Sequence, residues 1–170
     1  SETLVQRTVE TVINGRIGGE WRIMVFENTV SGVEHVAMIK GDILTRDPVL
    51  VRMHSLDMMA DVLGEISDRR SGNELESAMQ AVADEGRGIV VLLRESSKTS
   101  LSETIGATMS GTPVHDSSQG LREYGVGAQI LHELGVRQMI LLSNRPAIVI
   151  SLDGYDLGIV DWRRLNGDKG

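Results

Sequence analysis

No cysteine occurs among the 170 residues. That absence excludes disulfides, thiolate metal sites and a thiol nucleophile together. It also suits a reducing compartment, so a cytoplasmic setting is expected. Aromatic residues are nearly as scarce, with only Phe26, Trp21, Trp162, Tyr124 and Tyr155. Aliphatic side chains and eight methionines must therefore build the core. Positive charge is short as well: 17 Lys and Arg face 24 Asp and Glu, for a formal charge of −7. Without clustered cations, neither a nucleic-acid partner nor an anionic membrane surface is expected. No apolar run approaches the ~20 residues of a membrane span, and the start carries no signal-peptide pattern. The length suits a single domain over 1–170. Ser1 in place of Met is compatible with a domain excised from a longer chain.

What is present reads as short elements in sequence. "EWRIMVF" (20–26) and "EHVAMIK" (34–40) are β-prone, and "NTVSG" between them predicts a hairpin. "PVLVRM" (48–53) reads as a third strand, with Pro48 at its start. "NELESAMQAVADEG" places Leu75, Ala78, Met79, Val82 and Ala83 on one helical face. Asn73 is its expected N-cap and Gly86 its stop. "GIVVLLR" (88–94) is a continuous apolar run of the kind found in strands buried on both faces. From Glu95 to Gln119 the chain turns Ser-, Thr- and Gly-rich without a sustained period, which predicts a loop with at most a turn of helix. "LREYGVGAQILHELG" then reads as a helix ended by Gly135, "RQMILLS" as a buried strand, "RPAIVISLDGY" as a short helix and "DLGIVDW" as a last strand. The expectation is a mixed α/β fold with an antiparallel N-terminal hairpin and a C-terminal β-α-β-α-β part.

Each candidate for chemistry has a plainer competing account. "GVGAQI" holds a GxG, but inside a helical pattern and without a preceding strand, so close helix packing explains it better than dinucleotide binding. His35, His54, His115 and His132 show no ligand-like clustering. His54, at a strand end, is the most interesting of them. Ser96, Ser97, Ser100 and Ser102 lack a G-x-S-x-G turn, so loop solvation is the better account. "SNRP" (143–146) follows a buried strand, and Ser143 or Asn144 could open a phosphate-holding helix or simply cap one. Asp57, Asp61, Glu65 and Asp68 near His54 are suited to a hard divalent cation. Arg69 and Arg70 beside them offer a simpler charge balance, and a solvated, partly capping loop is the expectation.

Several segments in order resemble GTP cyclohydrolase II, which opens the path to riboflavin. They are "PVLVRMHSL", "LESAMQAVADEGRGIVVLLR" and "REYGVGAQILHELGVRQMILLSNRP", with the "GEWRIMVF…VEHVAMIKGD" hairpin ahead of them. The resemblance covers most of the chain. It implies a homodimer and a zinc ion held by three cysteines, which activates the water that attacks the guanine ring. Here Asp57 stands at the first cysteine position, and "SDRRS", around Asp68, replaces the C-x-C pair with one residue more. The family's "RQEGRGIGL" becomes "RESSKTSL", keeping Arg94 and putting Lys98 at a later Arg position. Arg122 matches the family's presumed nucleophile toward the α-phosphate, but Gly120 takes the place of the acidic proton acceptor. Leu56 replaces the glutamate of "HSE", and Ile148 a later lysine. Ligand-contacting positions carried over by the resemblance are Arg52, His54, Ser55, Arg94, Lys98, Ser143 and Asn144.

Three readings follow from these replacements. In the first, the fold is kept without ring opening and without a cofactor. Its role is structural, dimerising or regulatory, and its neighbour is a fused or associated dihydroxybutanone phosphate synthase domain. In the second, Asp57, His54 and Asp61 serve an altered nucleotide hydrolase with Mg²⁺ or Mn²⁺. In the third, Arg94, Arg122 and "SNRP" hold GTP, a related nucleotide or a flavin-pathway product in a sensor without chemistry.

Overall fold

The structure, a computed structural model, describes residues 4–68, 70–94, 98–111, 117–145 and 156–165. A strand the sequence did not announce opens it. β1 (Val5–Gly15) pairs antiparallel with β2 (Gly19–Asn28), which pairs antiparallel with β3 (Glu34–Lys40), the expected hairpin. β4 (Val49–Ser55) follows, then a single turn, α1 (Met58–Asp61), and α2 (Glu74–Glu85). Beyond them come β5 (Gly88–Leu93), α3 (Ser100–Ser110), α4 (Ser117–Glu133), β6 (Gln138–Leu142) and β7 (Gly158–Arg163). One seven-stranded sheet results, in the order β1-β2-β3-β5-β4-β6-β7. The β1 to β5 side is antiparallel, while β5, β4, β6 and β7 run parallel.

Strand alternation divides the core into two layers. On one face, Val51, Met53, Ile89, Val91 and Leu93 pack with Ala128, Ile130 and Leu131 of α4. On the other, Leu50 and Val90 pack with Ala78 and Val82 of α2, together with Trp21 and Leu165. β4 lies between two parallel neighbours and is buried from Val49 to His54, so its two polar side chains, Arg52 and His54, must find partners inside. Two glycines set how close the helices come. A Cβ on Gly88 would stand 2.7 Å from the Leu50 carbonyl, and one on Gly127 would stand 2.8 Å from Met53 Sδ. Gly127 of "GVGAQI" thus serves helix packing, as expected.

Three expectations need correction. The segment after β5 is more than a turn of helix: α3 runs from Ser100 to Ser110 and ends at Gly111, whose φ is 74°. It buries no residue, which is why no apolar period marks it. Asn73 makes no side-chain capping bond to α2; Glu74 and Glu76 in the first turn meet the positive end of the helix dipole instead. The loop after β4 caps α1 through Asp57, as anticipated, but two of its charges are buried rather than solvated. The short helix expected in "RPAIVISLDGY" lies almost wholly outside the described residues.

Candidate functional site

The parallel strands β5, β4 and β6 end together, and the groups flagged along the chain collect at that edge, where ligands of open α/β sheets bind. Alternation along β4 turns Arg52 and His54 to the α2 face and Ser55 to the α4 face. Arg52, 8% exposed, donates from Nη1 to the Leu142 carbonyl (3.3 Å) and from Nη2 to Glu74 Oε2 (3.1 Å). Nη2 also lies 3.4 Å from His54 Nδ1. A guanidinium offers only donors, so Nδ1 is the acceptor and the proton of a neutral His54 sits on Nε2. From there it reaches Asp61 Oδ2 at 2.9 Å, between side chains 5% and 7% exposed. The same Asp61 oxygen accepts the Asp57 backbone N–H at 2.9 Å. Burial pulls Arg52 below its ordinary pKa, against the pull of Glu74, Tyr124 and Asp61. Burial also pushes the Tyr124 phenol up, against the pull of Arg52 and Arg145. On the other face, Ser55 Oγ donates to Glu123 Oε2 at 2.6 Å.

A second ionic cluster closes the loop between α1 and α2. Asp57 caps α1 by accepting the Met59 N–H at 3.1 Å through Oδ1, and its Oδ2 accepts from Arg70 Nε. Arg70 Nη1 donates to Glu65 Oε2 at 2.9 Å and to Thr108 Oγ1 of α3 at 3.3 Å. Burial works against the Arg70 charge, but the hydrogen bond and charge of Asp57, with Glu65, outweigh it and raise its pKa. Asp68, in "SDRRS", is exposed.

The donor set does not fit zinc held by three thiolates, because the chain has no thiolate to offer. Asp57 faces a guanidinium, and both His54 nitrogens are engaged within the protein. Among the described residues, no group of three or more His, Cys, Asp or Glu could hold a metal ion.

The remaining candidates are spread more widely. The Arg94 backbone N–H donates to Nδ1 of buried His35 at 3.0 Å, while the Arg94 side chain is exposed, as is Lys98. Ser143 Oγ accepts the Arg145 N–H at 3.0 Å, and Asn144 Oδ1 accepts the Leu165 N–H at 3.0 Å. Both side chains thus tie down the ends of β6 and β7. Arg122 and Gly120 lie in α4, with the Arg122 side chain outside the described residues. His115, Ile148, Ser96 and Ser97 fall outside them too. His132 ends α4 near Asp156 Oδ2, at 3.6 Å. Sequence reasoning passed over Glu74, Thr108 and Glu123. Of these, only Glu123 carried a signal, its place beside Tyr124 in "REYG".

A family model described as GTP cyclohydrolase II matches residues 6–164. The riboflavin biosynthesis protein RibBA of Chlorobium phaeovibrioides is 39% identical over 93% of this chain and 40% of its own length. The probable monofunctional riboflavin biosynthesis protein RIBA 3, chloroplastic, of Oryza sativa is 38% identical over 91% of this chain and 31% of its own. The chain thus spans about two fifths or less of these relatives. The crystal structure of RibBX, a two-domain 3,4-dihydroxy-2-butanone 4-phosphate synthase from A. baumannii, superposes with a TM-score of 0.64 at 20% identity. It covers 96% of this chain and 40% of that one, and it shows a shared fold.

Proposed function

The chain belongs to the GTP cyclohydrolase II family, and on that premise we propose that it keeps the family fold without the ring-opening reaction. Its role in riboflavin biosynthesis is then structural, dimerising or regulatory. The observation that carries this reading is the complete lack of cysteine at a site whose His54, Asp61, Asp57 and Arg52 are bound to one another. Loss of a general acid or base costs about 10²–10⁴-fold. Loss of the zinc removes the nucleophile itself, since metal lowers the pKa of bound water from about 15.7 to about 7. Either loss alone leaves little turnover.

The partner we assign is a dihydroxybutanone phosphate synthase domain, fused or associated, in a homodimeric cytoplasmic assembly. The greater length of the relatives and the printed title of the RibBX structure support it. Exposed Met58, Val62, Leu63 and Ile66, beside an α3 that exposes Leu101, Ile105 and Met109, supply apolar surface for such contacts. No helix among the described residues is long and apolar enough to cross a membrane.

Zinc analysis and GTP turnover on the purified protein test the main reading. Negligible zinc and no formate release are expected; stoichiometric zinc with formate release overturns it. The buried His54–Asp61 pair favours one alternative, a nucleotide hydrolase using Mg²⁺ or Mn²⁺, in which Asp61 orients the imidazole. Phosphate or formate release from a nucleoside triphosphate, abolished by a chelator and by Asp61→Asn, would establish that alternative.

A further inference from the structure

We infer that the Arg70 guanidinium is the resident cation of the α1–α2 loop, at the place where the family resemblance puts a zinc ion. The inference rests on the proposed loss of the zinc site. Asp57 occupies the first cysteine position and Arg70 belongs to "SDRRS", the stretch replacing the other two. The fold brings these two together, Nε on Oδ2, and adds Glu65 and Thr108 to the remaining side of the guanidinium.

The distribution of polarity singles out this loop. Its apolar side chains face solvent, with Val62 73%, Leu63 66% and Ile66 81% exposed, while the Arg70 side chain is 5% exposed. A segment with its charge inside and its aliphatics outside has no apolar core of its own. It closes around an ion, as small metal-bound loops do. The backbone follows that centre. Ser67 and Arg70 exchange main-chain hydrogen bonds of 2.8 and 3.3 Å. Gly72, at φ 79°, passes so close to Gly64 that a Cβ would stand 2.9 Å from the Gly64 carbonyl. A planar fork of five donors can bridge Asp57, Glu65 and Thr108 at once, which an ammonium does less well.

Melting temperatures across a double-mutant cycle, with and without divalent ions, test this assignment. Arg70→Met should lower the Tm by roughly 5–10 °C. Asp57→Asn removes the charge but keeps an oxygen to cap α1. The double variant should lose less than the sum of the two single losses. Without Arg70, the facing Asp57 and Glu65 carboxylates should accept a divalent ion, so millimolar Mg²⁺ or Mn²⁺ should restore part of the Arg70→Met loss and leave the wild type unmoved. Additive losses, or a loss that no divalent ion relieves, overturn the inference while the proposed function stands. Stoichiometric zinc in the wild type overturns the proposed function itself. If Arg70→Met does not fold, Arg70→Lys completes the cycle at smaller amplitude, since it keeps the charge and loses the fork.

Discussion

Residues 56–72 and 74–93 adjoin in the chain and are held by opposite means. In the second stretch, α2 lays Ala78 and Val82 onto β5, whose Ile89, Val90 and Val91 are fully buried. In the first, ion pairs centred on Arg70 and Asp61 lie inside while aliphatic side chains point to water. Apolar packing of this kind depends on shape and volume, and not on which charged groups stand nearby. An ionic centre is specific to the groups it contains. In this loop Arg70 of "SDRRS" supplies the cation, and Asp57 and Glu65 supply the anions.

The contrast breaks most visibly if packing does not dominate 74–93. Ile89→Ala removes a side chain with no exposed surface from the core that β5 shares with α4. It should cost about 2–5 kcal/mol, which for a domain of this size lowers the Tm by roughly 5–20 °C. Gly88→Ala should also be costly, because its Cβ would meet a backbone carbonyl that cannot move aside. Gly127→Ala should cost less, because the obstacle is the thioether of Met53, which can rotate away. Thermal unfolding of the three variants gives the order directly. A harmless Ile89→Ala would mean that β5 is not held by its apolar contacts on the α4 face.

A middle-sized effect sharpens the ionic side. Asp61→Ala deprives the His54 Nε2–H and the Asp57 N–H of the one carboxylate oxygen they share. Buried hydrogen bonds to a charged group are worth about 1.5–3 kcal/mol, so the Tm should fall by roughly 5–10 °C. Proteolytic cleavage should rise within 56–72 before it rises in 74–93. Equal exposure of both stretches would show that the loop and the helix–strand pair unfold as one unit.

The same division governs what could be read from sequence. β2 to β6 were legible because their apolar runs or alternation are long enough to mark a buried strand. β1 was missed because every residue from Gln6 to Asn14 is exposed, so its β-branched side chains follow no burial pattern. α3 was missed for a similar reason, since a helix that buries nothing leaves no period among its serines and threonines. In the loop, composition showed that arginines could balance the carboxylates. Only the fold decides that Arg70 turns inward to Asp57 and that Asp68 stays in solvent. Such pairings depend on where the chain crosses itself, at Gly64 and Gly72, and no local pattern encodes that crossing.

The smallest predicted effect lies in the sheet itself, at its one buried histidine on the antiparallel side. His35 of β3 stands across from Phe26 of β2 and is 4% exposed. Its Nδ1 accepts the Arg94 N–H at 3.0 Å. Burial, and then the Arg94 charge, hold its pKa below the ordinary value of 6.5. The folded chain therefore keeps His35 neutral over a range in which the unfolded chain binds a proton. Stability from this group is fully present above about pH 6.5 and declines as the pH falls toward the depressed folded value. One proton limits the slope to about 1.4 kcal/mol per pH unit. Urea unfolding at pH 7.5 and 5.5 should show the wild type losing more stability on acidification than His35→Asn. The asparagine can still accept the Arg94 N–H but cannot take up the proton. Equal losses would mean that His35 titrates alike in both states, and that a polar group in the apolar sheet is tolerated as easily as one in the ionic loop.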